Sequence, residues 1–106
     1  MTVYKAYLDN FNNDNPRVRK LANIGNKNYV LECFWSNYSN CAYMTIKDDS
    51  EESIVNNIAL VNGLVIRSKD IPYPIYFKHK DNQTYEPSLE DIATDFIITF
   101  DDEEEV

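Results

Sequence analysis

The stretch from Asn28 to Lys47, NYVLECFWSNYSNCAYMTIK, constrains the fold most, because a single strand register accounts for nearly every residue in it. Strands over residues 29–36 and 41–47, joined by the turn Asn37-Tyr38-Ser39-Asn40, pair Ser36 with Cys41. Period-2 alternation then places Tyr29, Leu31, Cys33 and Trp35 on one face with Ala42, Met44 and Ile46. A slip of one residue would scatter this apolar set over both faces. The other face carries Glu32 opposite Thr45, Phe34 opposite Tyr43 and Val30 opposite Lys47, which suits a wetter or partner-contacting surface. The spacing therefore predicts a β-rich chain whose apolar side is closed by Trp35 and its strand-mates.

The remaining segments fit around this hairpin. Residues 2–8 read as a strand, at an edge or as an arm, and the asparagine-rich residues 9–16 as a loop closed by Pro16. Residues 18–24 form a strand that Gly25-Asn26-Lys27 turns into residues 28–36. A charged turn covers residues 48–53, and residues 54–60 are strand or helical turn, with β-branched Ile54, Val55 and Ile58 on the strand side. Asn62-Gly63 is the strongest two-residue turn signal and marks a chain reversal. Pro72 and Pro74 lack amide donors, so the next strand enters at Ile75 and runs over residues 75–79. Residues 81–83 turn. Ser88 as N-cap with Asp91 three positions on, an acidic variant of the capping box, predicts a short helical turn over residues 88–93. Residues 94–100 return to strand. With only two glycines in 106 residues, the turns must draw on asparagine and aspartate, which tolerate left-handed backbone. The expected layout is an N-terminal strand or arm and loop over residues 1–16, one β domain over 17–101, and an acidic mobile tail over 102–106.

Charge and side-chain chemistry narrow the function classes. A net charge of −8 with ten dispersed Lys and Arg argues against nucleic acid or an anionic membrane surface as partner. The local run Arg17-Val18-Arg19-Lys20 reads as a solvated strand face or as one salt-bridged to an acidic neighbour. No segment approaches the ~20 apolar residues of a membrane span, and residues 1–14 lack a signal-peptide pattern. In the register above Cys33 and Cys41 point to opposite faces, so both are expected as free, buried or half-buried thiols in a reducing compartment. His79, the sole histidine, is flanked by Lys78 and Lys80 and reads as a surface residue beside a turn. A nucleophile–base pair with Cys33 would require Cys33 to leave the apolar face. The acidic runs over residues 48–52 and 101–105 could recruit calcium, but the first lacks calcium-loop spacing with a central glycine and both read as solvated charge; the Cys and His residues lack zinc spacing, so no metal, cofactor or catalytic residue is assigned. Tyr38, in the hairpin turn, is either an exposed contact anchor or folded back over its own hairpin.

Across residues 28–104 the order of motifs resembles a family of small bacteriophage virion proteins, the baseplate plug-like proteins of simplified contractile tails. The series runs NYVLECFWS, a tight turn, YMTIKDD, LVNGLVI, IPYPIYF and finally PSLEDIATDFIITF with its acidic tail. The resemblance implies a small antiparallel β-barrel or sandwich. It also implies a non-enzymatic structural protein of the virion tail baseplate, made in the host cytoplasm. Such a protein would plug or brace the hub and tube region in multiple copies against hub, tube, spike or neighbouring subunits. No catalytic or binding residue transfers with it. A small acidic inhibitor of a host protein, equally served by the charge and the aromatics, is the alternative.

Overall fold

The computed structural model describes residues 3–101, so the acidic tail over residues 102–106 lies outside the described residues. Among the described residues eight strands form two four-stranded antiparallel sheets. They are β1 (Val3–Ala6), β2 (Arg17–Ile24), β3 (Lys27–Ser36), β4 (Cys41–Lys47), β5 (Ser53–Ala59), β6 (Leu64–Ile66), β7 (Ile75–His79) and β8 (Phe96–Asp101). The first sheet is the meander β2-β3-β4-β5, and the second has the order β1-β8-β7-β6. Neither sheet closes on itself.

The central hairpin has the register that alternation dictates. Ser36 pairs with Cys41, Trp35 with Ala42, Phe34 with Tyr43, Glu32 with Thr45 and Val30 with Lys47. Tyr29, Leu31, Cys33, Ala42, Met44 and Ile46 are all buried. Trp35 departs from expectation. It is only partly buried, packed against the margin of the core, because it lies at the turn end of the hairpin, one residue before β3 ends.

Asparagine takes over the left-handed positions, as the scarcity of glycine requires. Asn10, Asn26, Asn40, Asn57 and Asn82 all have positive φ. Gly25 and Asn26, at φ 59° and 67°, make the two-residue turn between β2 and β3, where both central residues must be left-handed. In the β4–β5 turn the Asp48 carboxylate accepts from the amides of Ser50 and Glu52 at 2.9 and 3.0 Å.

The structure resolves three local readings. Residues 53–59 are strand, but bulged, with register shifts against β4 and Asn57 at φ 47°. Asn62-Gly63 does turn the chain, with the Leu64 amide donating to Val61 O at 3.1 Å. Only Gly63 is left-handed there, at φ 88°, so the turn does not build a two-residue hairpin; it carries the chain from β5 in one sheet to β6 in the other. Residues 89–95 run as consecutive turns without forming a helix. Ser88 O accepts from Ile92 N at 2.9 Å, closing a single backbone turn, and Asp91 Oδ1 accepts from Ser88 N at 2.8 Å, the reach-back half of the capping box.

One apolar cluster joins the sheets. It contains Tyr29, Leu31, Met44 and Ile46 from the first and Ile75, Phe77, Phe96 and Ile98 from the second, with Phe77 and Phe96 stacked at 5.5 Å. Leu8 and Phe11, in the segment after β1, belong to the same cluster, and Phe11 has no exposed area. Two contacts fasten the β2–β3 end of the first sheet to the β6–β7 connection of the second. The Tyr29 hydroxyl donates to Asp70 O at 2.9 Å, and Gly25 lies so close to Pro72 that an added Cβ would sit 2.6 Å from its ring.

Candidate interaction surfaces

The outward face of the first sheet is built in cross-strand rows. Arg17, Phe34, Tyr43 and Ala59 form the first row, Arg19, Glu32 and Thr45 the second, and Leu21, Val30, Lys47 and Ser53 the third. Phe34 and Tyr43 stack with centroids 5.5 Å apart, and the Arg17 guanidinium lies 5.4 Å from the Phe34 ring centre. Arg19 reaches Glu51 at 2.6 Å and Lys47 reaches Glu32 at 2.9 Å. Of the basic run of β2, Arg17 and Arg19 lie on this solvated face, Arg17 over the Phe34 ring and Arg19 salt-bridged to Glu51, while Lys20 lies on the opposite one. Val30 is buried within its row although it faces outward, whereas Leu21 is 74% exposed. At the hairpin tip Tyr38 is fully exposed, at 102%, and not folded back over its hairpin. A half-buried aromatic stripe with an exposed leucine and tyrosine is a surface suited to protein contact.

His79 corrects the sequence reading. It is only 3% exposed, because it continues the inward alternation Ile75, Phe77, His79 along β7. Its Nδ1 accepts from the Asp81 amide at 2.9 Å, which leaves the proton on Nε2 to be donated to the Tyr85 hydroxyl at 2.8 Å. Tyr85 in turn donates to Asp95 Oδ2 at 3.3 Å. Desolvation first, then the negative charge of Asp95, raises the Tyr85 hydroxyl above its ordinary value. Both ring nitrogens are thus spent on holding the β7–β8 connection, and neither bonds a Ser, Thr or Cys side chain. Asn62 completes the clasp. Its Oδ1 accepts from His79 N at 3.2 Å, and its Nδ2 donates to Gln83 O and Tyr85 O at 2.7 and 2.9 Å.

Cys33 lies in the apolar cluster, where burial pushes its thiol up to about 12, with Glu32 adding to the shift. A thiol held neutral in this way is not a nucleophile. Cys41 is half-buried, and both cysteines are free. An open cleft of about 550 Å³ lies between the β2–β3 turn, the β4–β5 turn and the β6–β7 connection. Asp48, Asp49, Glu52 and Asp70 line it together with Lys27 and Lys69. Tyr29 borders this cleft, and burial, then the charges of Asp70, Asp48 and Asp49, raise its hydroxyl above the usual phenol range. Among the described residues no group of three or more His, Cys, Asp or Glu is gathered to hold a metal ion.

Comparison with known proteins adds one finding. A family model described as the cyanophage baseplate Pam3 plug gp18 matches residues 7–104. No curated protein and no solved structure matches the chain.

Proposed function

We propose, because this chain belongs to the family of the cyanophage baseplate Pam3 plug gp18, that it braces the hub and tube region of a contractile phage tail as a non-enzymatic structural part. Membership gives the coarser facts directly: a phage baseplate plug, situated in the virion tail baseplate and associated with other baseplate and tail proteins. The finer reading is that several copies act together and touch hub, tube or spike subunits. We take the two sheets to pack face to face as a sandwich, which the apolar cluster drawn from both supports.

The observation that carries this reading is the family match, which spans nearly the whole chain. The physics of the surfaces supports it. His79 and Cys33, the residues with the readiest acid–base or nucleophilic chemistry, serve packing and loop anchoring. The exposed features are instead a polar–aromatic sheet face and a protruding Tyr38, which fit protein contact. Acidic subunits also repel wrong partners and meet basic surfaces in defined orientation.

Quantitative mass spectrometry of purified particles tests the proposal. Stoichiometric presence in virions, and in detached baseplates, is the expected result. Absence from particles with abundance in infected-cell extract would overturn it.

A further inference from the structure

The four sheet edges are not equivalent. β6 has three residues and β1 four, and β5 is broken by bulges. Short or bulged edges resist strand addition. β2 is different: eight residues in continuous register with β3 and no strand on its other side among the described residues.

Register identifies which backbone groups face that open side. The two-residue turn makes Ile24 and Lys27 a hydrogen-bonded pair, so Ala22, Lys20 and Val18 also bond to β3. The amide of Trp35 donating to Pro16 O at 2.9 Å keeps the same parity. Arg17, Arg19, Leu21 and Asn23 therefore turn their N–H and C=O groups outward. Their side chains lie on the outer face, while Lys20 lies on the inner one. The free edge thus offers a run of backbone donors and acceptors with cations on both of its faces, in a chain of net charge −8.

We propose that this edge accepts, as an added strand, the acidic segment over residues 102–106 of a second copy of the chain. That segment reads DEEEV. An extended DEEEV segment would set carboxylates on both faces, against Arg17 outside and Lys20 inside, and would compete with Glu51 for Arg19, which Glu51 holds at 2.6 Å within the chain. In sequence it follows directly on β8. Symmetric pairing of two β2 edges has the reverse sign, because it would set Arg17, Arg19 and Lys20 of both copies against one another. The resulting contact joins the tail of one copy to the edge of another, which generates a reciprocal pair, a ring or an open chain of copies. This inference goes beyond the baseplate reading and would hold for the isolated protein.

Sedimentation velocity on the full chain tests it, with three variants: Arg17→Glu/Arg19→Glu, removal of residues 102–106, and both changes together. The full chain should self-associate, and association should weaken by about tenfold or more as salt screens the pairs. Either single variant should be monomeric. Mixed, the two should form a 1:1 pair, since one retains the edge's partner segment and the other the edge. The doubly changed chain should join neither. In the full chain, amide exchange at Arg17, Arg19 and Leu21 should be slower than in the tail-deleted chain. A full chain monomeric at every concentration, self-association that survives tail removal, a mixture that stays monomeric, or unchanged exchange at those amides would each overturn the proposal.

Discussion

Gly25 carries two constraints at once, and substitution can separate them. Its φ of 59° is left-handed, and a Cβ at this position would lie 2.6 Å from Pro72 Cγ and 3.4 Å from Tyr73 Cε2. Alanine there incurs roughly 1–2 kcal/mol for left-handed backbone. Overpacking against a rigid proline ring adds about 1–3 kcal/mol. The stiffer unfolded chain gives back about 0.4–1 kcal/mol. Gly25→Ala should therefore destabilise by about 2–4 kcal/mol, lowering the melting temperature by about 10 °C or more. Asparagine tolerates left-handed backbone, as neighbouring Asn26 does at φ 67°, but still brings a Cβ. Gly25→Asn should thus retain most of the loss. In a Pro72→Ala background the Cγ is gone, and the cost of Gly25→Ala should shrink to its backbone part. Gly63→Ala is the control, with φ 88° and nothing within 4 Å of the added atom. Urea unfolding of these variants, followed by tryptophan fluorescence, gives every value needed. If Gly25→Asn proved neutral, or Pro72→Ala failed to relieve Gly25→Ala, the close approach between the β2–β3 turn and the β6–β7 connection would be refuted.

Phe77→Ala, deep between the sheets, should cost about 3–5 kcal/mol, whereas Trp35→Ala at the margin should cost clearly less; equal losses in chemical denaturation would contradict their different burial. Stability should also fall at alkaline pH. Cys33 keeps its proton in the folded chain up to about 12 but loses it near 9 when unfolded, so between those values the unfolded state gains by ionising. That contribution is fully present below pH 9 and declines by about 1.4 kcal/mol per pH unit above it. The raised Tyr29 hydroxyl acts in the same direction from about pH 10 upward. Cys33→Ala should flatten the alkaline slope in guanidinium titrations at pH 8–11, and an unchanged slope would refute the assignment.

The register of the β3–β4 hairpin was legible because alternation over two facing strands leaves one pairing that gathers Tyr29, Leu31, Cys33, Ala42, Met44 and Ile46 on a single buried face. Entry of β7 at Ile75 followed from proline chemistry in the same local way. His79 was misread because its lysine neighbours suggested a surface, although the alternation from Ile75 through Phe77 already pointed it inward. Trp35 was misread for the opposite reason: alternation gives the face of a sheet but not the distance from its end. Burial of Leu8 and Phe11 had no signal in the sequence, since an asparagine-rich loop closes over the core only through contacts with distant strands. Asn62 carried a turn signal, but its clasp on Gln83 and Tyr85 depends on a connection some twenty positions away. The interaction surface was half visible, as the mixed outer face of the hairpin. Which edge stays open could not be read before the second sheet was in place.

The pairing of β1 with β8 has a mechanical consequence. Val3 lies opposite Asp101, so a pull applied at these two residues opens their ladder one hydrogen bond at a time, like a zipper. A pull along the strand direction at opposite ends of β2 and β3, by contrast, would load their continuous ladder together in shear. A part that must withstand force would therefore be gripped through the faces and edges of its sheets, with nothing tugging on its two ends.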